Sequence, residues 1–450
     1  MTIAHALRHT GIAALLCAAC ALPALAQATT PAAPEPAASA PAGTRSAFQI
    51  RPVDDAWRAA LPREAHAATQ AWLDRLPADV QARSNAYFEG GYWLQLWNFL
   101  LGLAVSAVLL WGRPSTAVRD WARHKVKRLA LADGVYGGFF AFAGWALSLP
   151  LTIYQGFMRE HNYGMATQNF GAWFGEQLVM LAISVVMTAL VVALLYAVIR
   201  RAGERWWLWG TVAMGALMCV ALVLAPVYID PLFNTYKPVE DGAIKREVIA
   251  MAQANGVPAD NVYVFDASRQ TTRVSANVSG LFGTAAVRLN DNLLRRSSES
   301  EIRAVMAHEI GHYALNHIPK MLLQFGLVIA AGFLFSAWAM RGLLARWGQR
   351  WRVAGVGDVG TLPLLTAVFS VYMFAATPIT NTIIRTNEVE ADLWGLNLAR
   401  EPMGEAEVLL KLVEYRKADP GPIEEFVFFD HPSARTRIYN AMRWREQMLQ

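Results

Sequence analysis

Apolar residues along this chain fall first into long unbroken runs, at 94–111, 135–153, 172–199, 206–228, 321–340 and 362–384. Each is long enough to cross a hydrocarbon core about 30 Å thick as a helix. Trp93, Trp111, Trp206, Trp207 and Trp209 lie near the ends of these runs, where amphipathic rings settle at the bilayer surface. Between 229 and 320 the pattern shortens to mixed structure, with a helix over 243–254 and short strands over 262–265 and 285–289. From Ser298 the pattern turns helical, opened by a capping box with Glu301 and free of proline up to Pro319. Residues 54–93 predict one or two short helices with Trp57, Trp72 and Leu73 inside, and the Ala/Pro-rich 28–43 reads as an exposed linker.

Composition supports a membrane reading: 55% of the 450 residues are hydrophobic, 17% are charged, and 16 are Trp. Residues 1–26 read as a signal peptide or a first membrane helix, with Arg8, an apolar stretch and a small-residue end at Ala24-Leu25-Ala26. Cys17, Cys20 and Cys219 are the only cysteines and all lie in apolar segments, so neither a disulfide framework nor a cysteine metal site is expected. Basic residues gather in loops 113–134, 200–205 and 341–360, whereas Arg159 in 155–170 is offset by Glu160. The positive-inside rule places those three loops in the cytoplasm, and alternation then exports 155–170, 229–320 and 385–450. The net charge of +5 belongs to these loops, so no nucleic-acid partner is expected, and the partner these apolar runs imply is the lipid bilayer.

The chemistry concentrates at His308-Glu309-Ile310-Gly311-His312, an HExxH pattern. On a helix, residues four apart share a face, so His308 and His312 can offer two imidazoles to one zinc ion with Glu309 beside the open position. Zinc brings the pKa of water down to about 7, and an adjacent carboxylate can take the proton as that water attacks a peptide carbonyl. An ordinary amphipathic helix with two surface histidines carries the same letters, so a third ligand decides. The metzincin third histidine is absent, since Leu315 and Ile318 stand where Gly and His are needed. Glu388, four residues before Asp392, supplies a carboxylate ligand on a later helix, with Asp392 hydrogen-bonding a ligand imidazole and Glu390 as the fallback ligand. His317, nine residues after His308, reads as a supporting histidine rather than a ligand. Asn277 is placed to orient a substrate backbone held along a strand edge, although an Asn in a Gly-bounded turn explains it equally.

With 154–165, 229–242, HExxH, Glu388-x-x-Ala391-Asp392 and 431–437 together, the chain resembles the type I CAAX prenyl proteases, integral-membrane zinc metalloproteases, over about 94–445. The resemblance implies a mainly α fold: a polytopic helical membrane barrel around a water-filled chamber, with a zincin-type catalytic domain and a small β-sheet. It implies one zinc ion on His308, His312 and Glu388, Glu309 as general base, and His431 and Arg437 binding or stabilising the tetrahedral oxyanion. The expected organisation is 1–26 signal or first helix, 27–93 exported N-terminal region, 94–228 four membrane helices, 229–320 metalloprotease domain, 321–384 two more membrane helices, and 385–450 the third-ligand helix and C-terminal catalytic part. The expected function is a zinc metalloendopeptidase of the bacterial inner membrane, its catalytic domain periplasmic, working on peptide or protein substrates in envelope protein quality control or processing. CAAX-type trimming of C-terminal peptides and a non-enzymatic zinc-containing scaffold or chaperone are the alternatives. A site-2 type intramembrane protease is disfavoured because Glu299, Glu301, Arg303, Asn316 and Lys320 make the HExxH helix too polar for lipid.

Overall fold

A computed structural model of the chain describes residues 53–279 and 286–449. The expected signal segment and the Ala/Pro linker lie outside the described residues. Two short helices, α1 (Asp55–Ala60) and α2 (Ala65–Leu73), precede α3 (Ala78–Trp111), which starts well before the apolar run and carries Asn85, Ala86 and Tyr87 into the membrane helix. The membrane region continues with α4 (Pro114–Lys125), α5 (Leu129–Ile153), α6 (Phe170–Ala202) and α7 (Trp206–Leu224). After the sheet come α11 (His317–Trp351) and the bent pair α12 (Leu362–Ala375) and α13 (Thr377–Ala399).

Among the described residues, four stretches are long and apolar enough to cross a bilayer, and the bent pair makes a fifth. The longest, 170–232, is not one rod. Gly203 adopts a left-handed φ of 54°, and beyond it Gly210 approaches the side chain of Leu195, so α6 and α7 fold back as a hairpin. The expected span over 362–384 is broken: α12 ends at Ala375 and α13 leaves at 57°. Pro378 sits in the first turn of α13, where its missing N–H costs nothing.

The apolar core of the spans gathers Tyr136, Leu195, Tyr196, Phe333, Met340 and Phe369. Beside it the three basic loops meet. Arg119 pairs with Asp358 at 2.5 Å, Arg200 with Asp133 at 2.7 Å, and Arg341 with Glu204. The loop at 155–170 docks elsewhere, through a bridge between Ala166 and Thr271 and an ion pair between Glu160 and Arg273 at 2.6 Å.

The mixed region holds β1 (Tyr236–Pro238), α8 (Ala243–Ala254), β2 (Val262–Phe265), β3 (Ala276–Ser279), β4 (Ala286–Asn290) and α9 (Asp291–Arg296), leading to α10 (Glu299–Ala314). The sheet order is β1-β2-β4-β3, with β2 and β4 parallel and the outer pairs antiparallel. Val262, Val287 and Leu289 pack on Ile302, Met306 and Ile310, a stripe at i, i+4, i+8 along α10. That apolar face leaves the two histidines pointing another way.

The helix expected to run on from Ser298 past His317 ends earlier. Leu315 caps α10, and Asn316 takes a left-handed φ of 55° before α11 begins. Asn is among the few residues that adopt this backbone readily, so the break has a local cause. The chain closes with α14 (Pro402–Leu412), α15 (Pro422–Phe428) and α16 (Ala434–Met448). Trp72 and Leu61 from the N-terminal helices share a core with Leu409, Ile438 and Met442 of α14 and α16.

Candidate active site

Helices α10 and α13 cross in close contact. A methyl group added at Gly311 would lie 3.2 Å from the Ala391 carbonyl oxygen, and one at Gly395 would lie 3.0 Å from the His308 backbone nitrogen. Real side-chain carbons do not tolerate such approaches without movement, so the pair of glycines sets the helix separation. Glycine inside a helix costs about 1 kcal/mol relative to alanine, and here close packing offsets that cost.

At the crossing, His308 Nε2 lies 3.1 Å from His312 Nε2 and 3.3 Å from Glu388 Oε2, and His312 Nε2 lies 3.6 Å from Glu388 Oε1. The three donors are drawn from one histidine pair and a distant carboxylate, and among the described residues they are the group able to hold a metal ion. An ion about 2 Å from each of two imidazoles and a carboxylate, in tetrahedral geometry, sets its donors a little over 3 Å apart. The observed separations fit a zinc-sized ion.

His308 Nδ1 is 2.8 Å from Asp392, which receives the Arg437 guanidinium on both oxygens, at 2.8 and 2.5 Å. Arg437 also approaches Glu405 at 3.6 Å. Glu390 faces away from this cluster, toward His317 at 3.0 Å and Lys320 at 2.6 Å, so the fallback ligand is not with the donors. Burial pushes the Glu309 carboxyl up to about 7. Burial also depresses His312, to about 3, while at His308 it is outweighed by Asp392 and Glu388, which raise that ring well above its ordinary value.

Residues 238–445 match Peptidase family M48, and residues 61–235 match the CAAX prenyl protease N-terminal region of five membrane helices. The chain belongs to peptidase family M48. It is therefore a multi-pass membrane metalloprotease of the CAAX prenyl protease type. An uncharacterised metalloprotease of Bacillus subtilis, YhfN, is 28% identical over 352 residues, covering 76% of this chain and 82% of its own. CAAX prenyl protease 1 of Saccharomyces cerevisiae is 24% identical over 317 residues, covering 67% and 70%. The crystal structure of S. mikatae Ste24p superposes with a TM-score of 0.70 at 21% identity, covering 82% of this chain and 90% of that one.

In this M48 chain the loop between α15 and α16 brings His431 to the cluster, its Nε2 3.2 Å from Glu388 Oε2 and its Nδ1 2.9 Å from Asp430. Arg385, one turn before Glu388, holds that loop by donating to the carbonyls of Phe429 at 2.5 Å and Glu425 at 2.9 Å. Ser433 then caps α16, which carries Arg437. Asn277 lies on the edge strand β3, opposite Arg288, rather than in a turn, and its buried Oδ1 has no hydrogen-bond partner among the described residues. Sequence reasoning missed Gly311, Gly395, Arg385, Asp430 and Glu405. Only the two glycines left a trace, as helix-weakening residues inside helical patterns.

Proposed function

We propose that this protease hydrolyses extended segments of envelope proteins by a general-base mechanism, with His308, His312 and Glu388 holding one zinc ion. When bound, zinc supplies Lewis acidity that polarises a carbonyl and acidifies water. Glu309 takes the proton of the attacking water and returns it to the departing amine. Burial, which pushes this carboxyl up, makes it a stronger proton acceptor than a solvated glutamate. Asp392 orients His308. Arg437, whose Nε and Nη2 are both held by Asp392, acts through it as a positioning residue, a different role from the oxyanion contact that the resemblance implied. His431 faces the site with Nε2 and is assigned the oxyanion. An extended peptide adds to the outer edge of β3, where the Asn277 oxygen, unpartnered among the described residues, meets a substrate amide.

The convergence of three ligand atoms from α10 and α13 beside the half-buried Glu309 carries the chemical part of this reading. The meeting of the three basic loops away from the site supports a periplasmic site in the bacterial inner membrane. CAAX processing, the activity in the yeast relative's name, calls for a site facing the cytoplasm. The test is Glu309→Gln. Turnover is expected to fall at least about 100-fold while the metal stays bound, and proteomics of membrane fractions should find envelope proteins trapped on the variant. Trapped cytosolic C-termini instead would overturn the substrate assignment, and unchanged turnover would overturn the mechanism.

A further inference from the structure

The second nitrogen of each ligand histidine needs a partner, because that partner decides which nitrogen is left for the metal. His308 has Asp392. Among the described residues, His312 Nδ1 meets no carboxylate and no carbonyl: it lies 2.8 Å from Nδ1 of His317. His317 is 1% exposed, and its other nitrogen, Nε2, lies 3.0 Å from Glu390 Oε2. Lys320 Nζ donates to the same oxygen at 2.6 Å.

Hydrogen-bond logic fixes every proton in this row. His312 turns Nε2 toward His308 and Glu388, so in a metal-ligating ring the proton is on Nδ1 and must be donated outward. Two facing ring nitrogens cannot both be donors, so His317 Nδ1 is the acceptor and its proton is on Nε2. That N–H meets a carboxylate, which the Lys320 ammonium keeps ionised. The row runs His312, His317, Glu390, Lys320, and each link has one donor and one acceptor.

We infer that His317 is a positioning residue for the metal centre, holding His312 in the tautomer and ring orientation that leaves Nε2 for the ion, and that Glu390 is its anchor. This rests on the metal reading given above and extends it to residues outside the ligand set. The row also spans the break at Asn316: His312 is on α10, whereas His317 and Lys320 form the first turn of the spanning helix α11, so that turn is registered to the ligand.

The experiment measures metal affinity in purified full-length protein, by zinc competition with a chromogenic chelator, independently of turnover. His317→Leu, which fills the site without an acceptor, is expected to weaken zinc binding by about 10–100-fold, as loss of an orienting partner does. His317→Gln, whose amide oxygen can accept from His312, is expected to recover much of that loss. Glu390→Ala, at a half-exposed position tolerant of change, is expected to weaken zinc binding less than His317→Leu. In zinc-loaded protein labelled with 15N-histidine, the proton of His317 is expected on Nε2. Native affinity in His317→Leu, equal affinities in the Leu and Gln variants, or a proton on His317 Nδ1 each overturns the inference. His312→Ala is the reference: unchanged zinc affinity there would sink the ligand assignment itself, whereas loss there with native affinity in His317→Leu sinks only the row.

Discussion

At the scale of single residues, Arg437 is the position where the structure changes the argument. Its Nε and Nη2 close on Asp392, and the same Nη2 lies 3.6 Å from Glu405, so it sits against two buried carboxylates behind His308. Removing it by Arg437→Met leaves both acids uncompensated, which at a buried pair costs about 3–5 kcal/mol. Thermal unfolding is expected to register that loss, and chelator competition a drop in zinc affinity of about 10–100-fold. A guanidinium serving the oxyanion alone would lower kcat and leave metal affinity untouched, so the two measurements separate the roles. Arg437→Lys restores charge without the bidentate fork and is expected to recover stability better than affinity.

At the scale of elements, the site depends on how closely α10 and α13 approach. Gly395→Ala inserts a methyl 3.0 Å from backbone that cannot rotate away, so the helices must part. Overpacking of this kind costs about 1–3 kcal/mol, and activity is expected to fall further than stability, because Glu388 moves with α13 while the histidines stay on α10. The other end of α10 is set by Glu301, which completes the capping box and accepts from Lys411 Nζ of α14 at 2.7 and 2.6 Å. Burial raises the Glu301 carboxyl above its ordinary 4.5 despite the ammonium beside it. The folded state therefore holds this proton more tightly than the unfolded chain, and the Glu301 contribution to stability falls as pH rises from 4.5 through the folded value. Glu301→Gln is expected to flatten that part of a stability–pH profile. Lys411→Met alone is expected to destabilise by about 3–5 kcal/mol and the double variant by less, since it leaves no unpaired charge.

At the scale of the whole molecule, the N-terminal helices belong to the catalytic layer. Trp72 is fully buried against the same core as Ile438 and Met442, and Arg58 reaches Glu407 at 3.4 Å, so α1 and α2 brace the segment that presents Arg437. Membrane orientation is the property that decides which proteins reach the site. In a chain with its three cysteines replaced, a cysteine at the exposed Arg346 is expected to label only after the cytoplasmic side is opened. One at the exposed Glu299 is expected to label in intact cells whose outer barrier has been permeabilised. The reverse pattern would move the protease to cytosolic substrates.

Sequence alone determined what depends on local order: which runs are apolar enough to enter lipid, where Ser298 starts the HExxH helix, and that two imidazoles four residues apart share a face. Even the letters of the Glu388 helix were legible, because Glu and Asp at that spacing also fall on one side of a helix. Tertiary structure decided which partners those side chains meet. Arg437 is 45 residues from Asp392, and Arg385 holds a loop that begins 44 residues later, at separations no periodicity encodes. The break at Asn316 and the bend at Ala376 escaped the apolar pattern for a related reason: hydropathy records affinity for lipid, while the direction of a helix is set by single backbone torsions and by what packs against them.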